Sequence, residues 1–184
     1  MSAGKVAVMV FWDNQGVILT NYLPKGSTVR GEYYASELCQ LKEALKIKRQ
    51  GTLQHGVVLL QNNDPAHTAG IAMSAATECG YELLPHLPYS PDLALSDFYL
   101  FPKLKEHLHG RQHTWQWRYW GREEFLADQD TAFYQTGIEM LQKRWSKCSE
   151  VHRDYVKNSV SKTIVLCLLV VRPETYGTSL VTPL

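Results

Sequence analysis

The stretch from Gly56 to His86 restricts the fold more than any other part of the chain. "GVVLLQ" (56–61) is a short unbroken apolar run, the form of a strand covered on both faces. "HTAGIAMSAATECG" (67–80) is rich in small residues, reads as a helix, and has Gly80 in place to close it. "YELLPH" (81–86) returns to a short strand. Strand, helix, strand with a crossover of this length implies parallel pairing, because a tight turn can join only antiparallel neighbours.

The N-terminal part adds a different signal. "KVAVMVFWD" and "VILTNYL" are β-rich runs divided by Asn14-Gln15-Gly16, which predicts a hairpin. A hairpin feeding a parallel unit predicts a mixed sheet in an α/β domain. From Gly31, Tyr34, Leu38, Leu41 and Leu45 recur at helical spacing, and Lys/Arg residues followed by Gly51 mark the helix end. "LPYSPDLALSD" (87–97) is a Pro-punctuated loop, followed by a partly helical "FYLFPKLKEHLHG". "RQHTWQWRYWGR" (111–122) fits neither a helical nor a strand period. Residues 123–156 read as two amphipathic helices around Thr136-Gly137. The domain is expected over 1–157, with 158–184 as an irregular tail. Within that tail, "IVLCLLVV" (164–171) is β-branched enough to be a strand or an adhesive segment.

With 184 residues the chain can bury one substantial core. Its net charge of +1 neither demands nor excludes a polyanionic partner. Cys39, Cys79, Cys148 and Cys167 are far apart in sequence without a CxxC pair, which suits reduced intracellular thiols better than a zinc site or a disulfide framework. The start carries no secretory cleavage pattern. The run at 164–171 is far short of the roughly 20 residues a membrane-spanning helix needs, so no membrane partner is expected.

Taken together, "VFWDNQGVIL", "YLPKG", "EYY", "LLQNNDPAHTA", "GYELLPHLPYSPDLALSDFYLFPKLKEHLHG" and "GIEMLQKRWSKC" resemble the catalytic domain of a mariner transposase. The similarity runs over about residues 5 to 157 and skips the Trp-rich segment, and the motifs occur in the family's order. The resemblance implies a ribonuclease-H-like fold. It also implies metal-dependent DNA cleavage and strand transfer in the nucleus, with Mg²⁺ or Mn²⁺ as cofactor and DNA as substrate. In-line displacement at phosphate places charge on the attacking and leaving oxygens, and paired metals held by carboxylates stabilise both.

The resemblance places the family's second acid at Asn62, within Gln61-Asn62-Asn63-Asp64-Pro65-Ala66-His67-Thr68. It places the third at Asp97, where "YSPDLALSD" carries Leu95 instead of proline. The 34 residues between Asn62 and Asp97 match the family's interval. The first acid belongs to a central strand upstream of the hairpin, and Asp13 does not align with it; Asp13 reads as a turn residue. The chain is therefore expected to be a truncated, degenerate and inactive copy. Its sheet is expected to lack its first strand, which would lie between the hairpin and the strand at 56–61. Either those strands pair directly, the 164–171 segment fills the gap, or the domain is marginal and prone to aggregate.

Asp64 is a weak substitute ligand, because Pro65 restricts it and two residues displace the backbone by roughly 6.5 Å. His67 suits capping or packing as well as catalysis. Lys103, Lys105 and Arg111 either contact phosphate or form a solvated face. Two rival functions follow: a weak metal-dependent nuclease using Asp64 and Asp97, or a non-catalytic module that binds DNA or another transposase chain.

Overall fold

The computed structural model describes residues 7–24, 27–84, 95–108, 123–151 and 163–171. The hairpin is present: β1 (Ala7–Asp13) pairs antiparallel with β2 (Gly16–Tyr22). Gly16 ends the turn at φ +127°, a conformation that disfavours any side chain. Successive β1 side chains alternate between two cores, with Met9 and Phe11 on one face and Val8, Val10 and Trp12 on the other.

α1 (Gly31–Lys48) buries Tyr34, Leu38, Leu41 and Leu45, the stripe predicted from their spacing. A short turn, α2 (Thr52–His55), leads into β3 (Val57–Leu60), whose four residues are all buried. The crossover consists of α3 (Pro65–Thr68) and α4 (Gly70–Cys79), and the left-handed Gly80 closes it by donating its N–H to Thr77. β4 (Tyr81–Leu84) then lies parallel to β3, as the crossover length required.

The sheet order is β2-β1-β5-β3-β4, with β5 spanning Thr163–Val171. β5 runs antiparallel to β1, with Trp12 opposite Leu166, and parallel to β3, with Leu60 also opposite Leu166. Of the three arrangements expected for the gap, filling by the 164–171 run is the one observed. The segment expected as an irregular tail thus contains a strand, which occupies the position between β1 and β3. A continuous apolar, β-branched run suits a strand with helices on both sides, and Val165 is fully buried against the α1 face.

Helices cover both faces. α1 and α4 enclose one core, which contains Phe11, Tyr34, Leu38, Leu59 and Val165. The other contains Trp12, Leu60, Leu95, Tyr99, Leu104, Phe125 and Tyr134. It lies beneath α5 (Phe101–Leu108), α6 (123–128) and α7 (Thr131–Val151). α5 is preceded by a wide π turn, Ser96–Leu100, in which Phe101 N–H reaches back to the Ser96 carbonyl. Pro102 has no N–H and its ring crowds the carbonyl four residues earlier, which favours this widened turn.

The expected division at Thr136-Gly137 is corrected. The break falls at Gln129-Asp130, where Asp130 accepts from Phe133 N–H at 2.8 Å and starts α7. Gly137 lies inside α7, and a Cβ there would sit 2.9 Å from the Tyr99 ring and 3.5 Å from Trp12. It is a close-approach glycine rather than a helix terminator.

Candidate functional site

The site expected from the sequence begins where β3 ends. Gln61 is buried; its side-chain oxygen accepts from Tyr34 O–H at 2.7 Å, and its amide donates to the His67 carbonyl at 3.2 Å. One glutamine thus ties α1 to α3. Asn62 is exposed, and its Oδ1 accepts from the Asp64 N–H at 3.2 Å. Asp64 Oδ1 accepts from Ala66 N–H at 2.9 Å, capping α3 with Pro65 in its first turn. The Asp64 carbonyl also accepts from His67 N–H at 2.9 Å and Thr68 N–H at 3.1 Å.

His67 is fully buried, with its ring 4.1 Å from that of Tyr34. Neither ring nitrogen completes a hydrogen bond among the described residues. Burial pushes its pKa below the usual histidine range, opposed by the Asp64 charge and the nearby Asn62 backbone. A neutral imidazole packed on a tyrosine is the result.

Asp97 belongs to the π turn, and its side chain lies outside the described residues. The turn and the end of β3 flank one apolar cluster, since Leu60, Leu95 and Leu100 pack together in it. Lys103 is exposed, yet its Nζ stands 4.5 Å from the Tyr99 ring centroid and 4.8 Å from that of Phe133. A cation–π cradle holds this ammonium against its own fold. The Lys105 side chain, Arg111 and the segment 111–122 lie outside the described residues.

Residues 1–55 match a family model described as "Transposase (partial DDE domain)". The chain is 36% identical over 151 residues to Mariner Mos1 transposase of Drosophila mauritiana, covering 78% of this chain and 43% of that protein. It is 35% identical over 153 residues to histone-lysine N-methyltransferase SETMAR of Homo sapiens, covering 82% of this chain and 22% of that protein. The structure of the Mos1 catalytic domain with raltegravir and Mg superposes with a TM-score of 0.75 at 35% identity, covering 84% of this chain and 78% of that one. The chain belongs to the mariner transposase family. It spans less than half the length of the two curated relatives.

Mariner-type chemistry needs carboxylates, and the described residues bring together no set that fits a two-metal centre. Among the described residues, no group of three or more His, Cys, Asp or Glu side chains converges to hold an ion. Asn62 brings no charge, and Asp64 is engaged in capping. β5, which lies between β1 and β3, has the sequence TIVLCLLVV and contains no acid.

Two buried polar clusters escaped the sequence reading. Asp13, read as a turn residue, does accept from Gln15 N–H at 2.9 Å. It also receives a two-pronged contact from Arg49, with Nε at 2.8 Å and a terminal nitrogen at 3.0 Å. No local pattern announces a partner 36 positions away. Glu37 is buried on α1, accepting from Asn21 and, at 3.3 Å, from Gln40. Burial first and Glu37 second push the Tyr33 hydroxyl up to about 12. Glu37 could have been found, because it lies on the apolar stripe between Tyr34 and Leu41.

Proposed function

We propose that this chain is a mariner-type catalytic domain that keeps the scaffold of DNA strand cleavage and transfer without performing the chemistry. The observation that carries the reading is Asn62. It stands where the resemblance places a metal-binding carboxylate, and the nearest acid, Asp64, is committed to the α3 cap. Two divalent cations about 4 Å apart repel by roughly 17 kcal/mol at an effective dielectric of about 20. Several carboxylates must offset that repulsion. One neutral amide with Asp97 as a lone retained acid does not.

Mos1 structures include paired-end complexes with Mn and with Mg, and a pre-cleavage transpososome. By analogy, the contacts left to this chain are DNA and a second transposase chain, encountered in the nucleus. The rival reading, a weak nuclease using Asp64 and Asp97, requires Asp64 to leave its cap.

The test is supercoiled plasmid incubated with the purified chain and Mg²⁺ or Mn²⁺. The expected outcome is no nicking above the background of Asp97→Ala. Nicking that disappears in Asp97→Ala overturns the proposal. Salt-dependent retention of labelled duplex, without cleavage, supports the role as a non-catalytic DNA-binding module.

A further inference from the structure

Cys39 and Cys79 are 40 positions apart in sequence, yet their Sγ atoms stand 3.9 Å from each other. Cys39 lies on α1 and is exposed; Cys79 ends α4 and is buried. The core between these helices is lined by Ala35, Ala72, Ala75 and Ala76, small side chains that permit close approach. Lys42, one turn beyond Cys39, reaches the Glu78 carbonyl at 3.5 Å and places a cation beside the thiols. The arrangement has the parts of a redox pair: an accessible thiol for an oxidant and a shielded one within reach to resolve the product.

We propose that Cys39 and Cys79 are a peroxide-responsive pair that closes into a reversible disulfide joining α1 to α4. The Cys39 thiolate attacks one peroxide oxygen, the O–O bond breaks, and the departing hydroxide takes a proton to become water. Cys39 is thereby oxidised by two electrons to the sulfenic acid. Cys79 Sγ then attacks Cys39 Sγ; the S–S bond forms, the S–O bond breaks, and hydroxide leaves with the Cys79 proton as a second water. Two thiols and one hydrogen peroxide become one disulfide and two waters. The sulfurs must close from 3.9 Å to about 2.05 Å.

Burial orders the steps. Burial first, and then Cys39 as hydrogen-bond partner and neighbouring charge, push the Cys79 thiol up to about 11, with Lys42 opposing and Glu78 adding to the rise. Cys39 is exposed and meets the oxidant first; Cys79 is shielded and stands within reach to resolve the product. The bond would fix α4, and the α3 turn that precedes it, against α1.

The test treats the reduced full chain with equimolar hydrogen peroxide and maps peptides by mass spectrometry without reductant. The expected product is an intramolecular Cys39–Cys79 cross-link, two hydrogen atoms lighter and reversed by dithiothreitol. In Cys79→Ser, the same treatment should leave Cys39 sulfenic acid that dimedone captures. Cys79→Ala, matched to the parent by circular dichroism, repeats this measurement should the serine variant fail to fold. Cross-links confined to Cys148 or Cys167, intermolecular dimers alone, or Cys39 oxidising to sulfinic acid as fast in the parent as in the Cys79 variants would overturn the proposal.

Discussion

Val165→Ala tests the feature on which the sheet depends. Val165 is fully buried, sits opposite Leu59 in β3 and packs in the core with Met9, Phe11 and Tyr34. The substitution removes two methylene equivalents, worth about 1.6 kcal/mol of transfer free energy. An unrelaxed cavity adds roughly 1 kcal/mol, so the expected loss is about 1.5–3 kcal/mol. That is a large share of the roughly 5–15 kcal/mol that holds a domain folded. Urea unfolding followed by circular dichroism should show a lower midpoint with an unchanged slope. Ile47→Ala is the control, since Ile47 is 75% exposed and its loss should cost within about 0.5 kcal/mol. Were β5 an unattached tail, the two substitutions would be indistinguishable, and that result would refute its insertion between β1 and β3. Truncation after residue 157 is the harsher version. It leaves β1 and β3 with unpaired backbone edges, and light scattering should report aggregation.

Three further outcomes follow from buried groups. Asp13→Asn leaves the Arg49 side chain, only 11% exposed, without its carboxylate, and should cost about 3–5 kcal/mol. In a double-mutant cycle with Arg49→Met, most of that loss should be recovered. Gly137→Ala should lower the melting temperature despite alanine's better helix propensity, because its Cβ meets the Tyr99 ring at 2.9 Å; the expected cost is about 1–3 kcal/mol. His67 has a pKa depressed by burial, so the unfolded chain binds its proton more readily than the native one. Its contribution to stability is complete above the unfolded value of about 6.5 and is lost as pH falls from there through the lower native value. Unfolding free energies at pH 7.5 and 5.5 should differ less in His67→Phe than in the parent.

What could be read in the sequence was local. The hairpin, the stripe of α1 and the parallel unit all arise from periodicities within a few turns of chain, and each is present where expected. β5 was visible only as a strand or an adhesive run, because its place depends on pairing with β1 and β3 from distant parts of the chain. Gly137 was misread for the same reason: its requirement comes from Tyr99, packed across from another helix. At the candidate site the legible part was chemical. Pro65 already restricted Asp64, and the structure shows why that matters, since the carboxylate is held by the first turn of α3. The polar residues after β3 are largely spent on one another. Gln61 joins Tyr34 to the His67 carbonyl, and Asn62 accepts from Asp64. A metal centre needs the opposite arrangement, lone pairs left unsatisfied and aimed at a common point. Placing an acid at position 62 with Asn62→Asp would therefore add charge without rebuilding that convergence, because Asp64 remains in its cap and β5 contributes no carboxylate. Calorimetric titration of that variant with Mn²⁺ should show at most one weak site; two-site binding would refute this reasoning.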